Sequence, residues 1–170
     1  MKSILKKPMK TRTVFIILSI ICMIMIFRFS SEDSGQSTGT SGRVIRFVFG
    51  IVVPHFRELA ASKQAAMVYN AQFIVRKLAH FTIYAMLGFC VSFAFGRRKF
   101  LSRMTAEAQL AAVLYAVSDE LHQSHVPGRS CELRDVFIDS CGAFTGILVS
   151  FAVLHLIQYF KKRRESQKNS

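Results

Sequence analysis

The chain has 170 residues, of which 51% are hydrophobic and 19% charged, and its formal net charge is +13. This composition is typical of membrane proteins rather than of soluble domains, and the length suffices for one membrane domain. A charge of +13 would also fit a nucleic-acid partner, so the positions of the basic residues decide between the two interpretations.

The basic residues cluster at three places beside apolar segments. These are Lys2, Lys6, Lys7, Lys10 and Arg12, then Arg97, Arg98, Lys99 and Arg103, and finally Lys161, Lys162, Arg163, Arg164 and Lys168. The three places hold 14 basic residues against two acidic ones, Glu107 and Glu165, whereas the remaining segments carry 9 basic and 8 acidic residues. This is the positive-inside pattern. It predicts a multi-pass protein of the cell membrane with both termini in the cytoplasm, and the basicity requires no nucleic-acid partner.

The first apolar segment has 15 residues, 13–27, after a basic start. This arrangement also fits the hydrophobic region of a secretory signal. No small-x-small cleavage site follows, because Arg28 and Phe29 occupy the relevant positions, so a retained helix over about residues 13–29 is predicted. Fifteen residues rise only about 22 Å, so Arg28 must snorkel or the helix must continue toward Ser30.

The next region is first polar and then partly apolar. Residues 30–42 are rich in Ser, Thr and Gly and lack periodicity, which predicts a mobile linker. Residues 43–53 are apolar but contain Arg46 and stop at Pro54, and 11 residues cannot cross a hydrocarbon core of about 30 Å. We expect this segment in the membrane interface. Residues 56–77 are predicted to form a helix that lies on the bilayer.

Three further membrane spans are predicted. Residues 78–95 contain one ionisable group, His80, and form the clearest span. The third helix must cover residues 104–123, because the part up to Ser118 rises only about 22 Å. The fourth covers residues 136–160. The expected fold class is therefore all-α, a polytopic membrane protein with four transmembrane helices and an interfacial helical segment between the first two.

The predicted membrane domain covers residues 13–160, between a basic cytoplasmic N-terminus, 1–12, and a basic cytoplasmic tail, 161–170. Its most unusual stretch is residues 118–142, which holds five carboxylates, two histidines and two arginines between two apolar segments. We predict that this stretch forms a hairpin on the outer face, joining the third and fourth spans.

Polar residues recur at helical spacing on three predicted helices. They are Lys77, His80 and Tyr84 on the second helix, Asp119, Glu120, His122 and Gln123 on the third, and Asp135 and Asp139 on the fourth. Residues three, four or seven positions apart share one helix face. The three faces are therefore predicted to converge at the outer ends of the helices and to form a ligand-binding site.

Pro127 and Gly128 fit a tight turn in the hairpin, with Pro at one corner and Gly supplying a positive φ. This turn would aim Arg129 back toward the carboxylates, where its guanidinium suits a carboxylate or a ligand phosphate. Gly142 and Gly146 continue the aspartate face of the fourth helix as small residues suited to close helix contact.

Carboxylates at the middle of a membrane helix cost roughly 2.5 to 3.5 kcal/mol each and less near its boundary, so several together favour a functional site. The structural alternative is that Asp119 pairs with Arg129 or His80, and Asp139 with Lys77, to lock three helices together.

No cofactor is predicted, and a divalent metal is the minor alternative. Suitable ligand types are present in His80, His122, Asp119, Glu120, Asp135 and Asp139, but they form no compact metal motif. The metal-ligand candidates among them are His80, Asp119, Glu120 and His122. Cys131 lacks a paired base in the sequence, which argues against a nucleophile, and spacing alone leaves open whether it is bridged to the cysteine ten residues later.

Three segments resemble a known family, namely KLAHFTIYAMLGF, YAVSDELHQSHVPGRS and RDVFIDSCGAFTGIL, preceded by FRFSSEDSG. They look like the VanZ-like family of membrane proteins, over roughly residues 27–154. The combination of SDELHQ, PGR and Asp-x-x-x-Asp is specific. The resemblance implies a four-helix membrane protein, and the founding member is associated with resistance to the glycopeptide teicoplanin.

The polar residues that the resemblance implies are all present. They fall on Lys77, His80, Tyr84, Asp119, Glu120, His122, Gln123, Gly128, Arg129, Asp135 and Asp139. The chain departs from the family pattern at Cys131, Glu132 and Arg134, where small or neutral residues are commoner. No reaction comes with the family name.

Three functions compete. The preferred one is a non-enzymatic envelope protein that binds an envelope lipid, a lipid-linked cell-wall precursor or a glycopeptide, with Arg129 and Lys77 at the anion. The second is a membrane-embedded hydrolase or transferase acting on an envelope lipid, for which Asp119, Glu120 and His122 are the catalytic candidates and either a metal or Arg129 would stabilise charge. The third is a small oligomeric ion-coupled transporter, because membrane carboxylates and histidines also serve as relay groups.

Overall fold

The computed structural model describes residues 9–95 and 103–168. These residues form five α-helices and no strand, which confirms the all-α class. The helices are α1 (Met9–Ser30), α2 (Ser34–Val52), α3 (Ala61–Ala94), α4 (Arg103–Gln123) and α5 (Leu133–Lys168), with a short 3-10 turn (Phe56–Glu58) before α3.

Three described helices are long and apolar enough to cross a membrane. They are Thr11–Ser30, Ala61–Ala94 and Leu133–Gln167. α4 occupies the predicted position but is not among these three helices, and it carries the acidic residues Glu107, Asp119 and Glu120. The three apolar helices fit a membrane protein, and the crossing by α4 stays a prediction.

The prediction of a mobile linker over residues 30–42 is wrong, because most of this segment belongs to α2. Asp33 caps the helix, and its Oδ1 accepts a hydrogen bond of 2.8 Å from the backbone N–H of Gln36. Ser41 and Gly42 are buried on the face that packs against α3. A face built from small residues has no apolar periodicity, so the sequence gives no helical pattern there.

The sequence predicts an interfacial helix over residues 56–77 and a separate span over 78–95, but α3 is one helix of 34 residues. Neither Gly nor Pro occurs near Lys77, so no residue ends the helix there. At about 1.5 Å per residue α3 is roughly 50 Å long. Its first half packs against α2 and the 3-10 turn through Ile45, Phe56 and Val68.

The first and last helices, α1 and α5, are longer than predicted. α1 includes the predicted span, residues 13–29, and α5 begins before residue 136 and continues through most of the predicted tail, with residues 161–167 exposed. Residues 1–8 of the predicted basic N-terminus, and the basic cluster at 97–99, lie outside the described residues.

α3 and α5 run parallel and approach each other very closely. A Cβ added to Gly142 or Gly146 of α5 would overlap a backbone carbonyl of α3, and a Cβ on Gly88 of α3 would overlap a carbonyl of α5. Deeper in the same contact, the buried hydroxyls of Ser92 and Ser150 are hydrogen-bonded. The glycines that the sequence suggests for close helix contact therefore lie where two backbones touch.

α1 and α4 complete the core around this pair. The apolar core consists of Cys22, Ile26, Tyr84, Leu87 and Ala116. Tyr115 of α4 donates a hydrogen bond of 2.6 Å to the carbonyl of Met23 in α1. All four cysteines are free thiols, so Cys131 and Cys141 are not bridged.

Replacing Gly146 by Ala is expected to destabilise the protein, because the new methyl group must push the backbones of α3 and α5 apart. Overpacking of this kind costs about 1 to 3 kcal/mol. Thermal unfolding of the detergent-purified protein measures the change. Gly39→Ala is the control, since a Cβ there meets no atom within 4 Å, and it should leave the unfolding midpoint unchanged or raise it. Equal midpoints for wild type and Gly146→Ala would contradict the close contact.

Candidate functional site

Three ionisable side chains from three helices meet in the interior. His80 of α3, Asp119 of α4 and Asp139 of α5 each bring one ligand-type atom to within 4.8 Å of the others. We call these three residues the buried cluster. Asp119 is 4% exposed and Asp139 is 0% exposed. His80 Nδ1 lies 3.7 Å from Asp139 Oδ2, beyond ordinary hydrogen-bond length.

Hydrogen bonds connect the buried cluster to the hairpin between α4 and α5. Gln123 Nε2 donates to Asp119 Oδ2 at 3.2 Å. Arg129 Nη1 donates to Gln123 Oε1 at 3.0 Å, and its Nη2 donates to the carbonyl of Phe29 at 3.1 Å. Arg129 thus turns back toward the cluster but reaches Asp119 through Gln123. Tyr84 also faces the cluster region, with 0% of its surface exposed.

Arg129 is partly buried by its neighbours. Burial, followed by the nearby guanidinium of Arg76, lowers the pKa of Arg129. An arginine starts from so high a pKa that it stays protonated at neutral pH. Its Nε is buried and has no hydrogen-bond partner among the residues that the structure describes. Arg76 and Arg129 line the same cleft, and Arg129 keeps an unused donor.

Glu120 has a structural contact that the sequence did not reveal. It is 1% exposed, and its Oε2 accepts a hydrogen bond of 2.9 Å from the backbone N–H of Glu132. That N–H lies at the start of α5, where the helix dipole favours a carboxylate. Glu120 therefore anchors the beginning of α5, although its Oε1 has no hydrogen-bond partner in the described residues.

Lys77 and Asp135 form an ion pair at the outer edge of the cluster. The lysine ammonium contacts both carboxylate oxygens, and the two side chains are 22% and 18% exposed. The structural alternative considered from the sequence paired Lys77 with Asp139. In the structure Lys77 pairs with Asp135, one turn before Asp139 on α5. Neither oxygen of Asp139 has a hydrogen-bond partner among the described residues.

His122 lies on the side of α4 that faces α1. Its ring stacks on Phe27 with centroids 4.6 Å apart, and its Nε2 is 3.1 Å from the hydroxyl of Ser31. Of the four metal-ligand candidates from the sequence, the structure brings only His80 and Asp119 into the buried cluster. The third member is Asp139, which the sequence assigned to ligand binding.

The predicted turn is present in the hairpin and contacts the start of α2. Gly128 has φ 74°, and a Cβ there would collide with the Ser34 side chain. The carbonyl of Pro127 accepts a hydrogen bond of 3.4 Å from the Ser34 N–H. The positive φ and the close approach both require glycine at this position.

The residues that depart from the family pattern lie on the surface of the hairpin. Cys131 is exposed, and Arg134 donates a hydrogen bond of 2.7 Å to Glu132. This bond lowers the pKa of the Glu132 carboxyl. None of the three belongs to the buried cluster.

A cleft of about 240 Å³ lies between α1, α2 and α3 beside the buried cluster. Its walls are largely apolar and include Ile26, Phe29, Val44, Val75 and Ile83. Its polar lining includes Glu32, Arg76, His80 and Arg129. Glu32 and Arg76 were not among the predicted site residues. Arg76 directly precedes Lys77, and Glu32 lies in the FRFSSEDSG segment.

The fold and the site define an all-helical protein of membrane type, with a buried ionisable cluster next to an apolar cleft. The family model VanZ/LLP1 matches residues 15–156. The chain therefore belongs to the VanZ/LLP1 family, which confirms the resemblance seen in the sequence. No curated protein and no solved structure shows a significant similarity to the chain.

A double-mutant cycle on Lys77 and Asp135 is expected to show strong coupling. Removing one partner with Lys77→Met or Asp135→Asn leaves a partly buried charge unpaired, and each change should cost about 2 to 4 kcal/mol. The double mutant should recover about 1 to 2 kcal/mol of the summed loss. Unfolding free energies in detergent and denaturant provide the measurement.

The exposed pair Arg103 and Glu107 is the matched control, since these side chains are 92% and 44% exposed. Its coupling should be about 0.3 to 0.5 kcal/mol. Equal coupling in the two pairs would show that the Lys77 pair is solvated rather than part of the packed interior.

Proposed function

We propose that the chain is a four-span protein of the cell envelope that binds the anionic headgroup of an envelope lipid or lipid-linked cell-wall precursor in the cleft. Through this binding it would influence sensitivity to teicoplanin, as the association of the founding VanZ protein suggests. The observation that carries the proposal is that Arg76 and Arg129 both line a cleft with apolar walls.

The two guanidinium groups favour an anion. Like charges held near each other in a half-buried cleft repel, and a bound phosphate would relieve that repulsion. Arg129 has a buried Nε that no described residue uses. Among the described lining residues Glu32 is the one carboxylate, against Arg76 and Arg129, so positive charge exceeds negative charge there.

The apolar walls favour a lipid over a free phosphate. The cleft volume of about 240 Å³ is below the roughly 300 to 1,000 Å³ of sites that enclose a drug-sized ligand. It has room for a headgroup and the first part of a chain. Val44 is 50% exposed at this site, and Phe47, Val48 and Ile51 extend an exposed apolar face along α2. The remainder of a lipid can lie along this face.

The parallel arrangement of α3 and α5 supports four spans. Contacts between the two helices run in the same order along both chains, from Lys77 with Asp135 to Ser92 with Ser150. If both helices cross the bilayer in one direction, α4 must bring the chain back across it. Its 21 residues rise about 31 Å, enough for the hydrocarbon core. With the basic clusters inside, the hairpin lies outside and both termini lie in the cytoplasm.

A second candidate function is a membrane-embedded hydrolase or transferase that acts on an envelope lipid. The observation that favours it is the position of His80, which belongs to the buried cluster and also lines the cleft. A ligand in the cleft would therefore lie next to groups that can transfer protons.

Cysteine labelling tests the topology. In a variant that keeps only Cys131, which is exposed, a membrane-impermeant maleimide should label intact cells. Ser166→Cys in a cysteine-free background should be labelled only after the cells are permeabilised, because α5 would end in the cytoplasm. The reverse pattern would place the hairpin inside and contradict the proposal.

Mass spectrometry of lipid bound to the detergent-purified protein tests the ligand class. Arg129→Gln should reduce the amount of co-purified phospholipid or lipid-linked precursor about tenfold, since a charge-assisted hydrogen bond contributes roughly 1.5 kcal/mol or more. Arg134→Gln is the control, because Arg134 is a neighbouring exposed arginine outside the cleft lining.

The same variants test the link to teicoplanin in cells. At equal membrane levels, Arg129→Gln should change teicoplanin sensitivity and Arg134→Gln should not. Equal lipid retention in wild type and both variants, with unchanged unfolding midpoints, would overturn the binding site.

A further inference from the structure

We propose that the buried cluster of His80, Asp119 and Asp139 binds one divalent transition-metal ion of the Zn²⁺ or Mn²⁺ type. This site shares His80 with the lining of the cleft, but the proposal does not rest on lipid binding. The ligands would be an imidazole nitrogen from α3 and carboxylate oxygens from α4 and α5, so the ion would join three helices.

The spacing of the ligand atoms suits a single ion. Donors bound at 2.0 to 2.2 Å from a common ion lie roughly 3 to 4 Å from one another. His80 Nδ1 and Asp139 Oδ2 are 3.7 Å apart, and all three ligand atoms lie within 4.8 Å of one another. Small rotations of the carboxylates bring the three donors onto one ion without movement of the helices.

Asp139 provides the second, independent observation. Its side chain is 0% exposed, and neither carboxylate oxygen has a hydrogen-bond partner among the described residues. Buried polar atoms in folded proteins are almost always hydrogen-bonded or coordinated. The hydroxyl of Tyr84, one turn along α3 from His80, is likewise buried without a described hydrogen-bond partner. A metal ion and a water bound to it would satisfy both residues.

The charge balance also favours a cation. Asp119 and Asp139 are two buried carboxylates, and ionised groups need a counter-charge when they leave water. Lys77 pairs with Asp135 and Arg129 donates to Gln123, while His80, 3.7 Å from Asp139 Oδ2, carries a charge only when it is protonated. A divalent ion would neutralise both aspartates at once.

The ligand set selects the type of metal. Ca²⁺ and Mg²⁺ prefer oxygen ligands alone, whereas imidazole together with carboxylates suits Zn²⁺, Mn²⁺ and related ions. The bond from Gln123 to Asp119 Oδ2 fixes the orientation of one ligand, as outer hydrogen bonds do in metal sites. Three protein ligands leave a coordination position for water.

Metal analysis of the full-length protein in detergent tests the site. After dialysis against a metal-buffered ZnCl₂ solution, elemental analysis by mass spectrometry should find one Zn²⁺ per chain in the wild type. Asp139→Asn and His80→Asn should each weaken zinc binding more than tenfold. Zn²⁺ should raise the thermal unfolding midpoint of the wild type and not that of Asp139→Asn.

His122→Asn is the matched control, because it removes a histidine that lies against α1 outside the cluster. It should keep the wild-type zinc content. The proposal is overturned if the wild type binds no stoichiometric Zn²⁺ or Mn²⁺. It is also overturned if Asp139→Asn, folded by its unfolding midpoint, retains zinc. Zinc content is measured separately from lipid retention, so either proposal can fail alone.

Discussion

The close backbone contact between α3 and α5 determines the arrangement of the site. Because glycines on both helices leave no side chain between the backbones, the helices cannot slide or rotate without a collision. This fixed register places Lys77 beside Asp135, and His80 beside Asp139 on the next turn. Ser92 and Ser150 hold the same register deeper in the core. The buried cluster therefore depends on residues that take no part in its chemistry.

The hairpin between α4 and α5, together with α1 and α2, encloses the rest of the site. The hairpin folds back because Gly128 adopts a positive φ, and Arg129 then binds the end of α1 through the carbonyl of Phe29. α2 begins against the same turn at Ser34 and forms one wall of the cleft. A short segment thus connects α1, α2, α4 and α5. Its polar side chains serve both as helix anchors and as lining of the cleft.

Helical spacing predicted that polar faces of three helices meet, because side chains three or four positions apart share a face. The structure brings His80, Asp119 and Asp139 together. Spacing could not give the rotation of each helix about its axis, and on α4 His122 is turned toward Phe27 while Glu120 reaches the start of α5. Two of the four metal-ligand candidates therefore lie outside the cluster.

The errors in the fold arise where the hydrophobic pattern gives a misleading signal. The first half of α2 packs with serines and a glycine, and its start depends on the cap at Asp33, so a polar composition concealed a helix. The continuity of α3 past Lys77 was missed for the opposite reason. A change from amphipathic to apolar composition indicates that the surroundings of the helix change at that point. The helical backbone can continue without interruption.

His80 is the physical connection between the buried cluster and the cleft. Its Nδ1 faces Asp139, while the side chain is 24% exposed and lines the cleft. A neutral imidazole carries one proton, so coordination of a metal through Nδ1 leaves the proton on Nε2, where it can be donated to a ligand phosphate. The metal ion and the lipid phosphate would then favour the same tautomer of His80. Each would favour the binding of the other, because linkage between two sites is reciprocal.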